Sequence, residues 1–400
     1  MDRNNRIIIA GAGPVGLMVA VLLGQAGVEV VIFDKGDINN QDPRAATIHP
    51  ATLDLLASAG VYQKIEPLGL VCPIVNYYDR QELLASFDHG VLAGETEHPW
   101  VLQCEQDKLS RVLFAMAREL AGVDVRPETE LVDFTVSEGG VEAEVRRPDG
   151  ALEKVKGLYL IGADGARSAV RRELGIAFEG FTYDDRTLNI EVAYDFTRHG
   201  YAHRNYISDP IEWSNLFHWK GPPDRWRVHF PTDPKADEEA VMRPEALQAQ
   251  LQRFLPTGKP FDIIGSNLYV VHQRVADKFR VGRAILAGDS AHVNSPIGAM
   301  GMNSGVHDAM NLADKLIAMA RGEADDSVLD RYERQRRHVA VAHTQAQTIR
   351  NKRLLAEKDP AVRQRNRDDL RRTSENRELA RKFLLRTALF ESLREADAIA

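Results

Sequence analysis

Residues 7–34 constrain the fold of this chain more than any other part of it. The apolar run Ile7-Ile8-Ile9-Ala10 leads directly into Gly11-Ala12-Gly13-Pro14-Val15-Gly16. An apolar stretch of helical character follows from Leu17 to Leu23, and a second apolar run, Val28 to Phe33, ends on Asp34. Strand, glycine turn, helix, strand and acid in that order describe a βαβ unit that binds a dinucleotide. Gly11 permits the tight turn and Gly13 lets the backbone approach a pyrophosphate. Gly16 lets the helix pack close to the strand, so that the helix N-terminus faces the phosphates. Asp34 stands 18 residues after Gly16, where a carboxylate accepts hydrogen bonds from ribose hydroxyls.

At 400 residues the chain is too long for one ordinary core. Its 44% apolar and 27% charged content is that of a globular protein. A net charge of −7 gives no electrostatic reason to expect nucleic acid or an anionic membrane as partner. Cys72 and Cys104 are isolated in the sequence, which fits a reducing compartment and argues against a zinc or disulfide framework. Val15 to Leu23, behind Arg3 and Arg6, mimics a signal-peptide core. It carries the glycine fingerprint instead, lacks a small-residue cleavage pattern and is too short to span a bilayer. The chain reads as cytoplasmic.

The spacing of apolar residues predicts helices over Pro50–Ala59, Leu109–Leu120, Pro244–Leu255 and Gly305–Arg321. Short strands are expected at Val75–Tyr78 and Leu83–Phe87, then at Glu130–Ser137, Val141–Arg147 and Ala151–Gly157. From about Tyr183 to Val271 aromatic and β-branched residues alternate with polar ones, as in Trp226-Arg227-Val228-His229-Phe230, and predict an antiparallel sheet. The organisation that follows is a nucleotide domain assembled from 1–74, 101–182 and 272–345. A second, sheet-bearing domain comes from 75–100 and 183–271, and a helical region covers 346–400. The mixed-sign stretch Arg363-Gln364-Arg365-Asn366-Arg367-Asp368-Asp369 reads as a solvated helical face, with a homodimer contact as the alternative.

Two further motifs narrow the nucleotide to a flavin. Tyr159-Leu160-Ile161-Gly162-Ala163-Asp164-Gly165 runs a strand into an Asp-Gly turn, and Ala284-Ile285-Leu286-Ala287-Gly288-Asp289 runs another into Gly-Asp. The second is followed by Pro296, Gly298, Gly301, Met302 and Asn303 before a helix. An acid at Asp289 suits a ribitol hydroxyl. Small residues at a helix start let backbone N–H groups meet a ring edge that becomes anionic on reduction.

With these three motifs in order, the sequence from residue 6 to about 345 resembles the class A flavoprotein monooxygenases, the family of p-hydroxybenzoate and phenol hydroxylases. The resemblance implies an α/β fold: a Rossmann-like FAD-binding domain with an inserted antiparallel-sheet substrate domain and C-terminal helices. It also implies FAD as cofactor, NADH or NADPH as co-substrate, and O2 with a small activated aromatic as substrates, hydroxylated through a flavin C4a-hydroperoxide. Carried over residue by residue, Gly11, Gly13 and Gly16 lie against the pyrophosphate, and Asp34 with its neighbour Lys35 at the adenosine ribose. Arg44 and Ala45 lie along the flavin side of the pyrophosphate and Gln106 at the ribityl region. Asp164 and Gly165 serve FAD and the reductant, and Gly288 and Asp289 the ribityl hydroxyls. Pro296 sits over the ring near the oxygen-reacting carbon, and Gly301, Met302 and Asn303 meet the pyrimidine end.

For the substrate the aromatic-rich segment offers His203, Tyr206, Trp213, His218, Trp219 and His229, of which Tyr206 and His218 join Pro296 as catalytic candidates. A second glycine fingerprint for the nicotinamide is absent, which points to transient reductant binding. The chain departs from the family in having Ser295 before Pro296, where many members have proline. It also has Ala46 where many phenol hydroxylases have histidine. His292 reads as a structural residue. His199 and His203 have HxxxH spacing, but Gly200 in a β-textured segment argues against a helix, so no metal is expected. A flavin epoxidase or oxidase, or a non-catalytic FAD-binding protein, is the alternative on the same fold. The Trp-x-Trp-x-Ile-Pro signature of the flavin halogenases is absent.

Overall fold

The computed structural model describes residues 6–37, 45–221 and 223–400. In chain order the first elements are β1 (Ile7–Ala10), α1 (Pro14–Gln25), β2 (Val30–Phe33), α2 (Pro50–Ser58), β3 (Ile74–Asp79), β4 (Glu82–Asp88), α3 (Gln106–Glu119), β5 (Val123–Arg126) and β6 (Tyr159–Gly162). Then come β7 (Phe178–Val192), β8 (Arg204–Ser208), β9 (Ser214–Trp219), β10 (Arg225–Thr232), α4 (Pro244–Phe254), β11 (Ile263–Ala276), β12 (Ala284–Leu286) and β13 (His292–Val293). The rest is helical: α5 (Met300–Ala320), α6 (Val328–Val339), α7 (Ala346–Ala356), α8 (Pro360–Glu375), α9 (Arg377–Thr387) and α10 (Phe390–Ala398).

Two large sheets organise these elements. The first has six strands, with β12, β6, β1, β2 and β5 side by side and Arg280–Val281 at the edge. β1 pairs in parallel with β2 and β6, and all three are buried along their whole length. That explains their unbroken apolar sequences, because a parallel sheet is covered on both faces. α1 packs on this sheet and against α5, where Val15 enters a notch in the neighbouring elements. A Cβ added to Gly288 would lie 2.8 Å from Val15, and one added to Gly305 2.6 Å. Gly305 is therefore a packing glycine inside a helix. The predicted helix start at Gly305 is corrected to Met300, because the small residues before it read as a loop.

The second sheet has eight strands in the order β13-β11-β7-β10-β9-β8-β3-β4. It is antiparallel apart from β8 beside β3. Its strands come from 74–88 and 178–293, and β7 and β11 run through the predicted boundaries at 183 and 271. Alternation assigns its two faces. Leu188, Ile190, Val192, Leu216, Trp226, Val228 and Phe230 pack with Leu247 and Leu251 of α4. Tyr77, Tyr206, Phe217 and Trp219 belong to the opposite face, with Leu384, Leu385 and Leu389 of the C-terminal helices.

The expectation of a solvated face over 363–369 needs correction. α8 lies along the β3–β4 hairpin, and Arg363 and Arg367 both pair with the buried Asp79. Arg367 also reaches Glu82 at 2.7 Å. Two of the five charges in that stretch, Arg363 and Arg367, dock α8 on the second sheet. Among the described residues no helix is long and apolar enough to cross a membrane.

Candidate functional site

The glycine turn has the geometry its sequence requires. Gly11 has φ +103, and a Cβ there would lie 2.3 Å from the Ala163 carbonyl oxygen. A Cβ on Gly16 would lie 2.0 Å from the Gly11 carbonyl oxygen. At Gly13, by contrast, a Cβ would meet nothing within 4 Å. That open space sits at the N-terminus of α1, which begins with Pro14 and has no side-chain cap, so its first N–H groups await an acceptor. Asp34 braces the turn: Oδ2 accepts from the Ala12 N–H at 2.8 Å and Oδ1 from the Gly36 N–H at 2.9 Å. Lys35 is exposed beside it. Arg44 lies outside the described residues. The Ala45 carbonyl accepts from the Gln106 N–H at 2.7 Å, which holds the start of α3 against this edge.

Asp164 follows β6. Its Oδ2 accepts from the Ala169 N–H at 2.6 Å, while its Oδ1 is buried without a partner. Gly165, at φ +79, makes the turn beside it. Gly288, at φ +65, makes the other, with Asp289 exposed next to it.

What holds the Gly288 turn is Asp308 on α5, which no sequence motif marks. Asp308 Oδ2 accepts from the Gly288 N–H at 2.9 Å and from His292 Nε2 at 2.8 Å, and Oδ1 from Arg336 Nε at 2.6 Å. Burial alone raises a carboxyl pKa, but His292 and Arg336 outweigh it and hold Asp308 at about 2. His292 is thus a structural residue of this trio.

Between β13 and α5 the chain makes a tight loop. Pro296 is exposed, Gly298 has φ +103 and Ala299 φ +56. Ser295 replaces the family's proline for a visible reason: its N–H donates to Gln273 Oε1 at 3.0 Å, a bond proline cannot make. The Asn303 side chain is fully used within the protein. It accepts from the His49 N–H at 2.9 Å and donates to the Thr47 and Ala299 carbonyls at 2.8 and 2.7 Å. What the start of α5 leaves for a ligand is backbone N–H, at Met300, Gly301 and Met302.

Beside this loop a pocket opens between the second sheet and the C-terminal helices. Its wall includes His49, Tyr77, Arg204, Tyr206, Gly298 and Phe383. Tyr206 stacks on Tyr77 with ring centroids 5.2 Å apart. His49 Nε2 donates to the Gly298 carbonyl at 2.8 Å, and its Nδ1 is buried without a partner. Burial, then the charge of Arg204, hold this imidazole well below its ordinary pKa. It is neutral, with Nδ1 as acceptor. Ala46 is buried in the core beside this face, and the imidazole of the wall comes from His49 three residues on.

The sheet face continues the wall as one cross-strand row, Tyr77–Tyr206–Asn215–His229–Asn189. Asn215 Oδ1, His229 Nδ1 and Asn189 Oδ1 are buried with no partner. Burial, then Arg227, push His229 down to about 3. Unpaired buried polar atoms are costly, and these three stand side by side on one face of the sheet.

His218 is the correction among the catalytic candidates. It alternates with Phe217 and Trp219 and therefore faces α4, stacked on Trp226 at 4.5 Å and bonded Nδ1 to Nδ1 with His203 at 2.9 Å. Neither of these two histidines meets the cavity. His199 bonds Tyr194 Oη at 2.6 Å, away from His203's partner. The sequence gives no sign of Asn189 and Asn215, since a buried asparagine in a strand has no motif. Away from the cavity, Glu395 of α10 accepts from His338 at 2.5 Å and from His343 at 2.7 Å. Their ligand-type atoms lie within 4.8 Å of one another, a grouping no spacing in the sequence predicts.

Comparison with known proteins places the arrangement among characterised enzymes. The model of a family described as an FAD binding domain matches residues 4–347. Para-nitrophenol 4-monooxygenase from Pseudomonas sp. strain WBC-3 is 34% identical over 389 residues, 96% of each chain. 6-Hydroxy-3-succinoylpyridine 3-monooxygenase from Pseudomonas putida is 32% identical, covering 90% of this chain and 91% of that one. Among solved structures, p-nitrophenol 4-monooxygenase from Pseudomonas putida DLL-E4 superimposes with a TM-score of 0.91 at 34% identity, covering 97% and 98% of the two chains. A ternary complex of aklavinone-11 hydroxylase with FAD and aklavinone gives 0.78 at 28% identity, covering 89% of this chain and 71% of that one.

Proposed function

The chain belongs to the class A flavoprotein monooxygenases and is an FAD-dependent aromatic hydroxylase, and from that premise we propose that its cavity takes a single-ring phenol or hydroxypyridine. The observation that carries the reading is the row of buried, unpartnered polar atoms at Asn215, His229 and Asn189, in cross-strand register with Tyr206 of the pocket wall. A one-ring substrate suits an aromatic wall of this kind, while the row supplies polar partners for its substituents.

The residues around the open space at Gly13 suit FAD. α1 offers N–H groups to its pyrophosphate, Asp34 and Lys35 its adenosine ribose, and Ala45 and Gln106 the middle of the molecule; the resemblance adds Arg44, which lies outside the described residues. Asp164 Oδ1, buried and unpartnered, is an acceptor in waiting for a hydroxyl, and with Gly165 it also meets the reductant. Gly288 and Asp289 hold the ribityl chain. Met300, Gly301 and Met302, with Asn303 fixing the chain that passes them, turn N–H groups toward the pyrimidine edge, and Pro296 covers the ring. Bound FAD supplies the redox chemistry that activates O2. The protein's own work is to orient the aromatic ring with Tyr206 and the polar row, to receive a proton at His49 Nδ1, and to keep water out.

On this reading residues 1–74, 101–182 and 272–345 form the FAD-binding domain, 75–100 and 183–271 the substrate domain, and 346–400 the helices that close the cavity. NADH or NADPH is the reductant, bound transiently. The test is a panel of nitrophenols, hydroxybenzoates and hydroxypyridines offered to the FAD-loaded protein with NADH and with NADPH. One-ring phenols accelerate reductant consumption, and fused-ring phenols do not. Stimulation by fused-ring substrates alone contradicts the assignment of the cavity.

A further inference from the structure

From Val328 to Ala356 the chain is one unbroken helical rod, but its middle is not α-helical. A π-helical turn over Ala340–Gln345 joins α6 to α7. Residues five apart on an α-helix point about 140° away from each other, whereas a turn with i→i+5 bonds brings them back to one face. His338 stands just before this turn and His343 within it, with ring centroids 6.2 Å apart. Both turn Nε2 toward Glu395 of α10, one to each carboxylate oxygen. Among the described residues no arginine or lysine pairs with Glu395. Hydrogen bonds from His338 and then His343 hold its carboxyl below the ordinary pKa, so it is ionised at neutral pH. The side chains are 41%, 19% and 49% exposed in the order His338, His343 and Glu395, so an ion reaches them from solvent. A single exposed histidine–glutamate pair is ordinary surface chemistry. A π turn that aims two imidazoles at one carboxylate is not, since such turns are rare and gather at functional sites.

We propose that His338, His343 and Glu395 bind a divalent transition-metal ion of zinc-like chemistry, which clips α10 to the helical rod at its π turn. Two imidazole nitrogens and a carboxylate oxygen form a ligand set that suits zinc, with water completing the shell. Ligand atoms that each stand about 2 Å from one ion lie about 3–4 Å from each other. Three such atoms within 4.8 Å of one another therefore need only small side-chain rotations to share an ion. Each histidine now donates its Nε2 proton to Glu395. On binding, that proton passes through solvent to Nδ1, and the freed Nε2 lone pair takes the ion. Imidazole ligands favour zinc, nickel, copper or cobalt over magnesium and calcium. None of the three residues belongs to the glycine turns or to the polar row. His343 does share a groove with Met300 at the start of α5, and Met300 also lines the substrate pocket. An ion here therefore steadies the helices that stand beside the loop before α5.

The experiment uses the FAD-loaded enzyme without a histidine tag, treated with a chelator and then titrated with Zn2+, Co2+ or Mg2+. Calorimetry should find one Zn2+ per chain for the wild type. At about a hundredfold excess over Kd, Zn2+ should raise the melting temperature by about 3 °C. Co2+ should add visible absorption beyond the flavin bands, and Mg2+ should change nothing. His343→Ala should bind Zn2+ about tenfold or more weakly, and so should Glu395→Gln, which keeps an acceptor for the histidines but loses the charge. The double variant His338→Ala/His343→Ala should show no rise in melting temperature with Zn2+. His199→Ala, which removes a histidine outside the site, should behave as wild type. Retained flavin and an unchanged far-ultraviolet spectrum establish that each variant is folded, and Glu395→Gln carries the test if the double variant is not. Equal Zn2+ affinity in wild type and Glu395→Gln overturns the proposal, as does an equal rise in melting temperature in the double variant. Binding that His199→Ala abolishes puts the ion elsewhere and overturns it too. Binding at the site with no rise in melting temperature overturns the clip.

Discussion

At the residue scale, each motif glycine answers a different physical demand, and the differences are measurable. Gly11 and Gly16 are closed in by backbone, whereas a side chain at Gly13 meets only open space. Gly13→Ala should therefore fold with nearly unchanged thermal stability yet bind FAD at least about tenfold more weakly, because its methyl group enters the cofactor's place. Gly11→Ala, at φ +103, should lower the melting temperature as well. Calorimetry with FAD titration separates the two. Asp308 makes the complementary case, since its role belongs to protein architecture. Asp308→Asn leaves Arg336 buried without its charge partner, a loss on the order of 3–5 kcal/mol. Its folded pKa of about 2 lies below the ordinary value of about 3.9 for an unfolded aspartate. The stability that Asp308 contributes is thus complete above the unfolded value and disappears as pH falls through about 2. Denaturant titrations of wild type and Asp308→Asn should differ at pH 6 and converge toward acid.

At the element scale, the sequence carries the period of a strand more clearly than the direction it faces. Trp226-Arg227-Val228-His229-Phe230 reads correctly as alternating, yet nothing in it tells which set meets the cavity. His218 and His229 look equivalent until strand pairing places His218 on the α4 side with Trp226 and His229 in the row with Asn215 and Asn189. Gly305 failed as a marker of a helix start because its reason, the contact with Val15, is 290 residues away along the chain. The three glycine turns were legible because each follows directly on a strand, with the acid adjacent at Asp164 and Asp289 and one βα unit further on at Asp34. The cavity's polar partners were not, because they are single residues on four strands. The row also implies a trade between stability and binding. His229→Leu and Asn189→Leu remove unpartnered buried atoms, so each should leave the melting temperature unchanged or raise it. Each should also raise the Kd for an aromatic ligand about tenfold. A variant that loses stability and keeps affinity would mean that the row is structural.

At the scale of the whole molecule, the second sheet, the loop before α5 and the C-terminal helices meet around the pocket. The parallel sheet brings the glycine turn, Asp164 and Gly288 to one edge. α8 is pinned to β3 and β4 by Asp79 and Glu82, and Arg381 of α9 pairs with Glu95. The alternatives of an oxidase and a non-catalytic FAD-binding protein need no such closed polar pocket. An oxygenase does, because water at the site diverts activated oxygen to H2O2. The most direct measurement follows the oxygen atom itself. The FAD-loaded enzyme is supplied with NADH or NADPH, a phenol that stimulates its oxidation, and 18O2, and the products are analysed by mass spectrometry. Incorporation of one 18O atom into the new hydroxyl group of the aromatic product is the predicted result. Label confined to H2O2, with none in any organic product, would contradict the assignment.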